Sequence, residues 1–338
     1  MKRQPKSQSS FLSLQLVSAC AGLLLCCSCR SSDPVKIAVI PRTCGTPLWE
    51  PEHGGAEVSA VHTGAHIYWN APTREDDVEG QIALVNRIIG EKNYQGLVLA
   101  PDQALALITP VQRALSRGIA TVIVGSPLGI PPGGKLSYIL NDDEEGGVLA
   151  AKRVAMLLHG QGPVAVLGMN PDITGIMIRA RSFERFLSQN YPNIHIVEKR
   201  IGTFNVPHER EVVEETLNTH PNLSVLVALM WPTAHAAIDA VDANPEFRTM
   251  KIIAFDPDTF PSPDIPSLDS VILQDTRTMG RQAADLIHAE LHGQSVPALI
   301  RLRPLLVNRD NIDTQTVREL TSMDWRPGPL HWDWNATP

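Results

Sequence analysis

From about residue 35 to residue 307 the chain alternates short apolar runs with stretches of helical period, and few folds accept that pattern. The apolar runs lie at 35–40, 66–69, 96–100, 121–124, 138–140, 164–167, 195–199, 225–229, 251–255, 271–274 and 299–307. Most are too short for helices and are apolar at consecutive positions, so both faces must be buried, as in the strands of a parallel sheet. Between them, 52–61, 78–90, 147–158, 176–188, 209–217, 234–241 and 279–292 read as helices. Thr109-Pro110-Val111-Gln112 reads as a helix start, with Thr109 as cap and Pro110 in the first position. Regular strand–helix alternation predicts doubly wound α/β architecture. More than ten strands exceed what one compact sheet holds comfortably, so two parallel-sheet lobes are expected, and the 338-residue chain is long enough for both.

The start of the chain reads as an export signal. Lys2, Arg3 and Lys6 precede an apolar run from Phe11 to Cys27 that is too interrupted for a secure membrane span. Four of the five cysteines, Cys20, Cys26, Cys27 and Cys29, cluster there. This resembles a bacterial lipobox, and residues 1–29 are read as a lipoprotein signal peptide with Cys29 as the lipidated residue. Cys20 has the better local consensus, but cleavage there would leave 21–27 exposed. Removing the leader, with its three basic residues and no acid, takes the net charge from −7 to −10. So acidic a body argues against nucleic acid as a partner. The one cysteine left, Cys44, has no partner for an internal disulfide and is expected to pack as a small apolar residue.

No catalytic signature emerges. The chain has no Gly-x-Ser-x-Gly elbow after a strand, no phosphate-binding Gly-x-x-x-x-Gly-Lys-Ser/Thr and no Gly-x-Gly-x-x-Gly after a strand. His53, His62 and His66 read as surface histidines, so neither a metal nor a cofactor is expected. What recurs is polar or aromatic residues just beyond the strands: Thr46 and Trp49, Ser126, Asp142 and Asp143, Arg179, Phe204, Trp231, Asp256 and Gln274. Open α/β sheets bind ligands at the carboxyl ends of their strands. Aromatic faces with one arginine and several hydrogen-bonding groups suit a polyhydroxylated ligand.

Residues 35–307 resemble the sugar-binding proteins of bacterial ABC transporters, of the ribose-binding type, which are similar to lactose-repressor effector domains. Thr46-Pro47-Leu48-Trp49 after the first strand resembles that family's Asn-Pro-aromatic-aromatic loop. Residues 96–101 through 118–124, Asn141-Asp142-Asp143 with Gly146-Gly147, Arg179-Ala180-Arg181-Ser182-Phe183, Ala254-Phe255-Asp256 and Val271-Ile272-Leu273-Gln274 follow its blocks in order. Gly125-Ser126 and Met230-Trp231 depart from its usual Asp-Arg and Asn-Asp pairs, which implies a less polar site. Ile40-Pro41-Arg42 and Pro232-Thr233-Ala234 are similar instead to the rhamnose and autoinducer-2 branch, which brings Arg42 into the expected site.

The resemblance implies a type I periplasmic binding protein: two lobes joined by a three-strand hinge. One lobe should hold 35–141 with 275–303 and the other 142–274 with 304–320, leaving a Trp- and Pro-containing tail at 321–338. It implies capture of a small sugar-like ligand without chemistry, delivery to a transporter permease, and a lipid-anchored place on the periplasmic or outer face of the membrane. A sensor presenting its closed form to a receptor or kinase is the alternative. The anchor is directly testable. Labelled fatty acid should attach to the wild type and not to Cys29→Ser, and loss on Cys20→Ser alone would move the lipidation site.

Overall fold

The computed structural model describes Met1, residues 34–256 and residues 258–324. The expected signal peptide with Cys29, and the tail beyond Asp324, lie outside the described residues. Among the described residues no helix is long and apolar enough to cross a membrane.

The strands form two six-stranded sheets. The first uses β1 (Lys36–Ile40), β2 (His66–Trp69), β3 (Gly96–Leu99), β4 (Ala120–Gly125), β5 (Leu136–Asn141) and β11 (Leu299–Leu302), in the order β11-β5-β4-β3-β1-β2, all parallel. The second uses β6 (Gly162–Met169), β7 (Ile194–Ile201), β8 (Val225–Ala228), β9 (Lys251–Phe255), β10 (Leu268–Leu273) and β12 (Leu305–Asn308). Its order is β12-β10-β9-β8-β6-β7, with β12 alone antiparallel.

Helices cover both faces of each sheet. The first lobe carries α1 (Glu50–Thr63), α2 (Val78–Glu91), α3 (Ile108–Ser116) and, arriving late in the chain, α8 (Thr276–Leu291). The second carries α4 (Asp143–Leu157), α5 (Thr174–Asn190), α6 (Val206–Thr219), α7 (Trp231–Ala243) and α9 (Gln315–Leu320). Alternation along β1 shows why its run is apolar throughout. Ile37 and Val39 pack with Ala56, Met279 and Ile287 on one face, whereas Ala38 and Ile40 pack with Val85, Ile88 and Val111 on the other. The second lobe has the same pair of cores, one under α4 and α5 and one under α6 and α7.

The chain passes between the sheets three times: after β5, after β10 and between β11 and β12. The last passage corrects the sequence reading of one strand over 299–307. Arg303-Pro304 breaks that run into two strands in different sheets, because proline cannot donate to a ladder. A further link lies past α9. Val317 of α9 is buried in the second lobe, yet Arg277 of α8, in the first, donates from Nη1 to the carbonyls of Ser322 at 2.9 Å and Asp324 at 3.3 Å.

Two local expectations change. Thr109 does not cap α3: that helix begins at Ile108, after Leu107, which already has φ −87° and ψ −5°. The preceding turn delivers the backbone in helical geometry, and Pro110 falls in the first turn, where a missing N–H costs nothing. Cys44 is exposed, and its thiol donates to the carbonyl of Ala71 at 3.1 Å rather than packing in the core.

Helices α1 and α8 approach so closely that side chains are excluded at the crossing. A Cβ on Gly55 would lie 1.9 Å from the Arg277 carbonyl oxygen, and one on Gly280 would lie 2.0 Å from that of Glu52. Glu52 is fully buried at this crossing, and neither carboxyl oxygen has a hydrogen-bond partner among the described residues. Burial alone pushes its pKa up to about 8. The unfolded chain releases this proton near the ordinary value of 4.5, and the folded chain keeps it until about 8. Glu52 therefore makes the fold lose stability as pH rises through that window. Urea unfolding of Glu52→Gln should show a flatter pH dependence than the wild type. The variant should gain roughly 2–5 kcal/mol over the wild type at pH 8 relative to pH 5. Equal slopes would show that the carboxyl ionises freely in the fold.

Candidate functional site

In each sheet the strand order reverses beside one strand: β1 lies between β2 and β3, and β6 between β7 and β8. Loops leaving neighbouring strands diverge at such a point and open a crevice. The two crevices face each other across one cavity with about 630 Å³ of empty space, counting the part open to solvent. That is within the range of small-molecule sites.

Eight of the eleven residues singled out in the sequence line this cavity. Arg42, Trp49 and Ser126 come from loops after β1 and β4. Arg179 comes from the second turn of α5, and Phe204, Trp231, Asp256 and Gln274 come from beyond β7, β8, β9 and β10. Asp142, Asp143 and Thr46 do not. Thr46 sits at the N-cap of the short 3-10 turn Pro47–Trp49, which carries Leu48 and Trp49 into the wall in its place.

The second lobe's wall is organised around one cation. Arg179 is buried and donates from Nε to Asp143 Oδ1 at 2.7 Å and from Nη1 to Asp256 Oδ2 at 2.6 Å. Nη1 also reaches the Leu229 carbonyl at 3.4 Å, and the guanidinium carbon lies 4.8 Å from the centre of the Phe255 ring. Burial would pull the arginine pKa down, but the charges of Asp256 and Asp143 overrule it, and the guanidinium holds its proton more tightly than in water. Burial raises the Asp143 carboxyl, with Arg179 opposing it. Gln274 donates to Asp256 Oδ2 at 2.8 Å and accepts from the Asn141 side chain at the end of β5. A continuous run of hydrogen bonds thus links Asp143 to two of the three passages between the sheets. Asp256 holds φ at 49°, a left-handed value that aspartate tolerates better than most residues but that still costs energy.

The first lobe's wall has its own cluster. Arg42 donates from Nε to Asp102 Oδ1 at 3.1 Å, and its Nη2 lies 4.0 Å from Glu75 Oε2. Trp49 donates from its indole nitrogen to Glu75 Oε1 at 3.2 Å. Burial pushes Asp102 up to about 6 and raises Glu75 as well, in each case against the pull of Arg42. Across the cavity the Arg42 guanidinium stands 5.1 Å from the centre of the Phe204 ring, and the Trp231 indole faces Glu75.

Sequence reasoning missed Glu75, which sits in a polar loop after β2 with no pattern to single it out. It also misjudged the pair after β5. Asp142 caps α4 by accepting from the Glu145 amide at 3.0 Å, and Asp143 stands behind Arg179 rather than in the wall. The cavity can bind and enclose, with donors and acceptors fixed before a ligand arrives. Among the described residues no three potential metal ligands gather into a cluster.

Known proteins share this fold. The D-allose-binding periplasmic protein of Escherichia coli is 24 % identical over 288 residues, covering 82 % of this chain and 90 % of that one. The D-ribose/D-allose-binding protein of Pseudomonas aeruginosa is 23 % identical over 259 residues, 72 % of this chain and 78 % of its own. Among solved structures, an ABC transporter solute-binding protein of Agrobacterium vitis, bound with α-D-tagatopyranose, superposes with a TM-score of 0.77 at 22 % identity. That match covers 85 % of this chain and 98 % of the other. A carbohydrate transporter solute-binding protein of Agrobacterium radiobacter, in complex with D-arabinose, gives 0.76 at 19 % identity over 86 % and 100 % of the two chains. These likenesses establish two α/β lobes of the type I periplasmic binding protein fold. A family model described as the periplasmic binding protein domain matches residues 37–295, which takes in five strands of each sheet and every residue placed in the cavity wall, and the chain belongs to that family.

Proposed function

We propose that this protein captures a small sugar or sugar-like ligand between its lobes outside the cytoplasm and delivers it to an ABC transporter permease. One observation carries the reading. A cavity at the carboxyl ends of both sheets is walled by both lobes and polarised by a buried arginine that is fixed by two carboxylates. Such a wall offers a hydroxylated ligand donors and acceptors already in place, which reduces the ordering cost of binding. Trp49, Phe204 and Trp231 offer apolar surface for its carbon skeleton. Ribose, allose, tagatopyranose and arabinose in the names of the similar proteins support the same ligand class.

Residues 35–141 with 275–303 act as one lobe and 142–274 with 304–320 as the other. Small backbone rotations where the chain passes between them open and close the cavity, and the ligand selects the closed state by touching both walls. Arg42, Trp49 and Ser126 contribute contacts from the first lobe, and Arg179, Phe204, Trp231, Asp256 and Gln274 from the second lobe and hinge. The ligand leaves unchanged. Lipidation at Cys29 holds the protein at the membrane from which the permease receives it.

Calorimetric titration with the sugar that most raises the melting temperature tests this. Arg179→Ala removes the charged centre of the wall and strands a buried carboxylate, Asp143, and a half-buried one, Asp256, so binding should weaken by roughly 2–4 kcal/mol. Because the same change also disturbs the fold's interior, Phe204→Ala serves as a companion; it should weaken binding while the melting temperature of the free protein stays near that of the wild type. Small-angle scattering of the wild type should show compaction at saturation, and mass spectrometry should return the ligand intact. Unaltered affinity in both variants, or a chemically altered ligand, would overturn the proposal.

A further inference from the structure

The charges around the cavity do not balance. Two guanidinium groups, Arg42 and Arg179, face four carboxyls: Asp102 and Glu75 in the first lobe, Asp143 and Asp256 in the second. The second-lobe pair is well matched, because both carboxylates hydrogen-bond Arg179 within 2.7 Å and Gln274 adds a donor to Asp256. The first-lobe pair is not. Arg42 commits its Nε to Asp102, while the nearest approach to Glu75 is 4.0 Å, beyond hydrogen-bond reach. Glu75 lines the cavity, is buried, and has the Trp49 indole as its hydrogen-bond donor; among the described residues Oε2 receives none. The Trp231 indole nitrogen nearby is also buried without a hydrogen-bond partner among the described residues.

A buried carboxylate without a cation of its own is costly unless something else supplies the charge. Among the described residues no lysine lines this wall, and the nearest guanidinium, Arg42, hydrogen-bonds Asp102 and reaches Glu75 only as a 4.0 Å ion pair that the two carboxyls share. We propose that the ligand supplies a second cation, within hydrogen-bond reach of Glu75, so that the site is built for an amino sugar or amino polyol whose ammonium group docks against Glu75 between Trp49 and Trp231. Burial holds the empty carboxyl towards its neutral form, and an incoming ammonium would return it to the charged one. An ammonium brings three donors and suits a carboxylate that already accepts from an indole on its other oxygen. The hydroxyls of the same ligand would take Arg179, Asp256 and Gln274, so the inference rests on the sugar-binding reading above and narrows it to a cationic member of that class.

Matched ligands separate the two. Calorimetric titration would compare neutral hexoses with their 2-, 3- and 6-amino-deoxy counterparts and the N-acetyl forms of those amines, in which the charge is gone but the nitrogen remains. The wild type should bind at least one amine roughly tenfold or more tightly than both its hydroxyl and its N-acetyl partner, as a charge-assisted hydrogen bond in a desolvated site would give. In Glu75→Gln that ratio should fall to about one, and in Glu75→Asp part of it should remain. Melting curves of the variants would establish that they fold. Should Glu75→Gln not fold, the wild-type ratios decide alone. Neutral sugars binding as tightly as their amines would overturn the cationic assignment and leave sugar binding standing. A preference for the amine that persists in Glu75→Gln would overturn the role of Glu75. If no sugar of any kind binds, both readings fail.

Discussion

The buried charge of Arg179 sets the terms for the second lobe and the hinge. A guanidinium taken out of water needs anionic partners in good geometry, and losing both would leave an uncompensated charge in the interior. Asp143 and Asp256 meet that need from opposite directions, one from the first turn of α4 and one from the end of β9. Neither position is free. Asp143 is held by a helix that Asp142 caps, and Asp256 sits in a left-handed backbone conformation that only surrounding contacts maintain. Gln274 and Asn141 extend the same set of bonds into the passages between the sheets. The chemistry of the wall and the mechanics of the hinge are therefore one hydrogen-bonded system.

The architecture was readable in the sequence because period and burial act locally. A run such as 35–40 is apolar on both faces only if both are covered, and alternation with helices then leaves little but parallel sheets. Most of the cavity wall was readable for the same reason: residues just past strand ends share one edge of a sheet whatever their spacing in the chain. The expectation failed where tertiary partners decide. Thr46 and Trp49 looked equivalent after β1, yet the short turn between them sends only the indole inward. Asp143 looked like a ligand acceptor, and only the position of Arg179 shows that it is already taken. Glu75 carried no signal at all, since its burial comes from the opposing lobe as well as from its own.

The two walls divide their work by rigidity. The second-lobe wall is tied by several short hydrogen bonds and presents a fixed surface. In the first lobe, Arg42 and Glu75 are held more loosely, and each faces an aromatic residue across the gap. The close crossing of α1 and α8 keeps this wall from drifting, because Gly55 and Gly280 let the two backbones touch directly, with no side chain between them to slide.

Past α9 the chain returns from the second lobe to lay its carbonyls on Arg277 of the first. Three passages near one edge would let the lobes twist as well as hinge. A tether attached at both ends removes part of that freedom: the end of α9 and the start of α8 must move together or the Arg277 bonds must break. Any opening of the cavity would thereby be steered along one arc, with the strap as its kinematic guide. Its few bonds to backbone oxygens carry no sequence information, so residues 322–324 could drift freely in evolution while still setting the direction in which the jaws part.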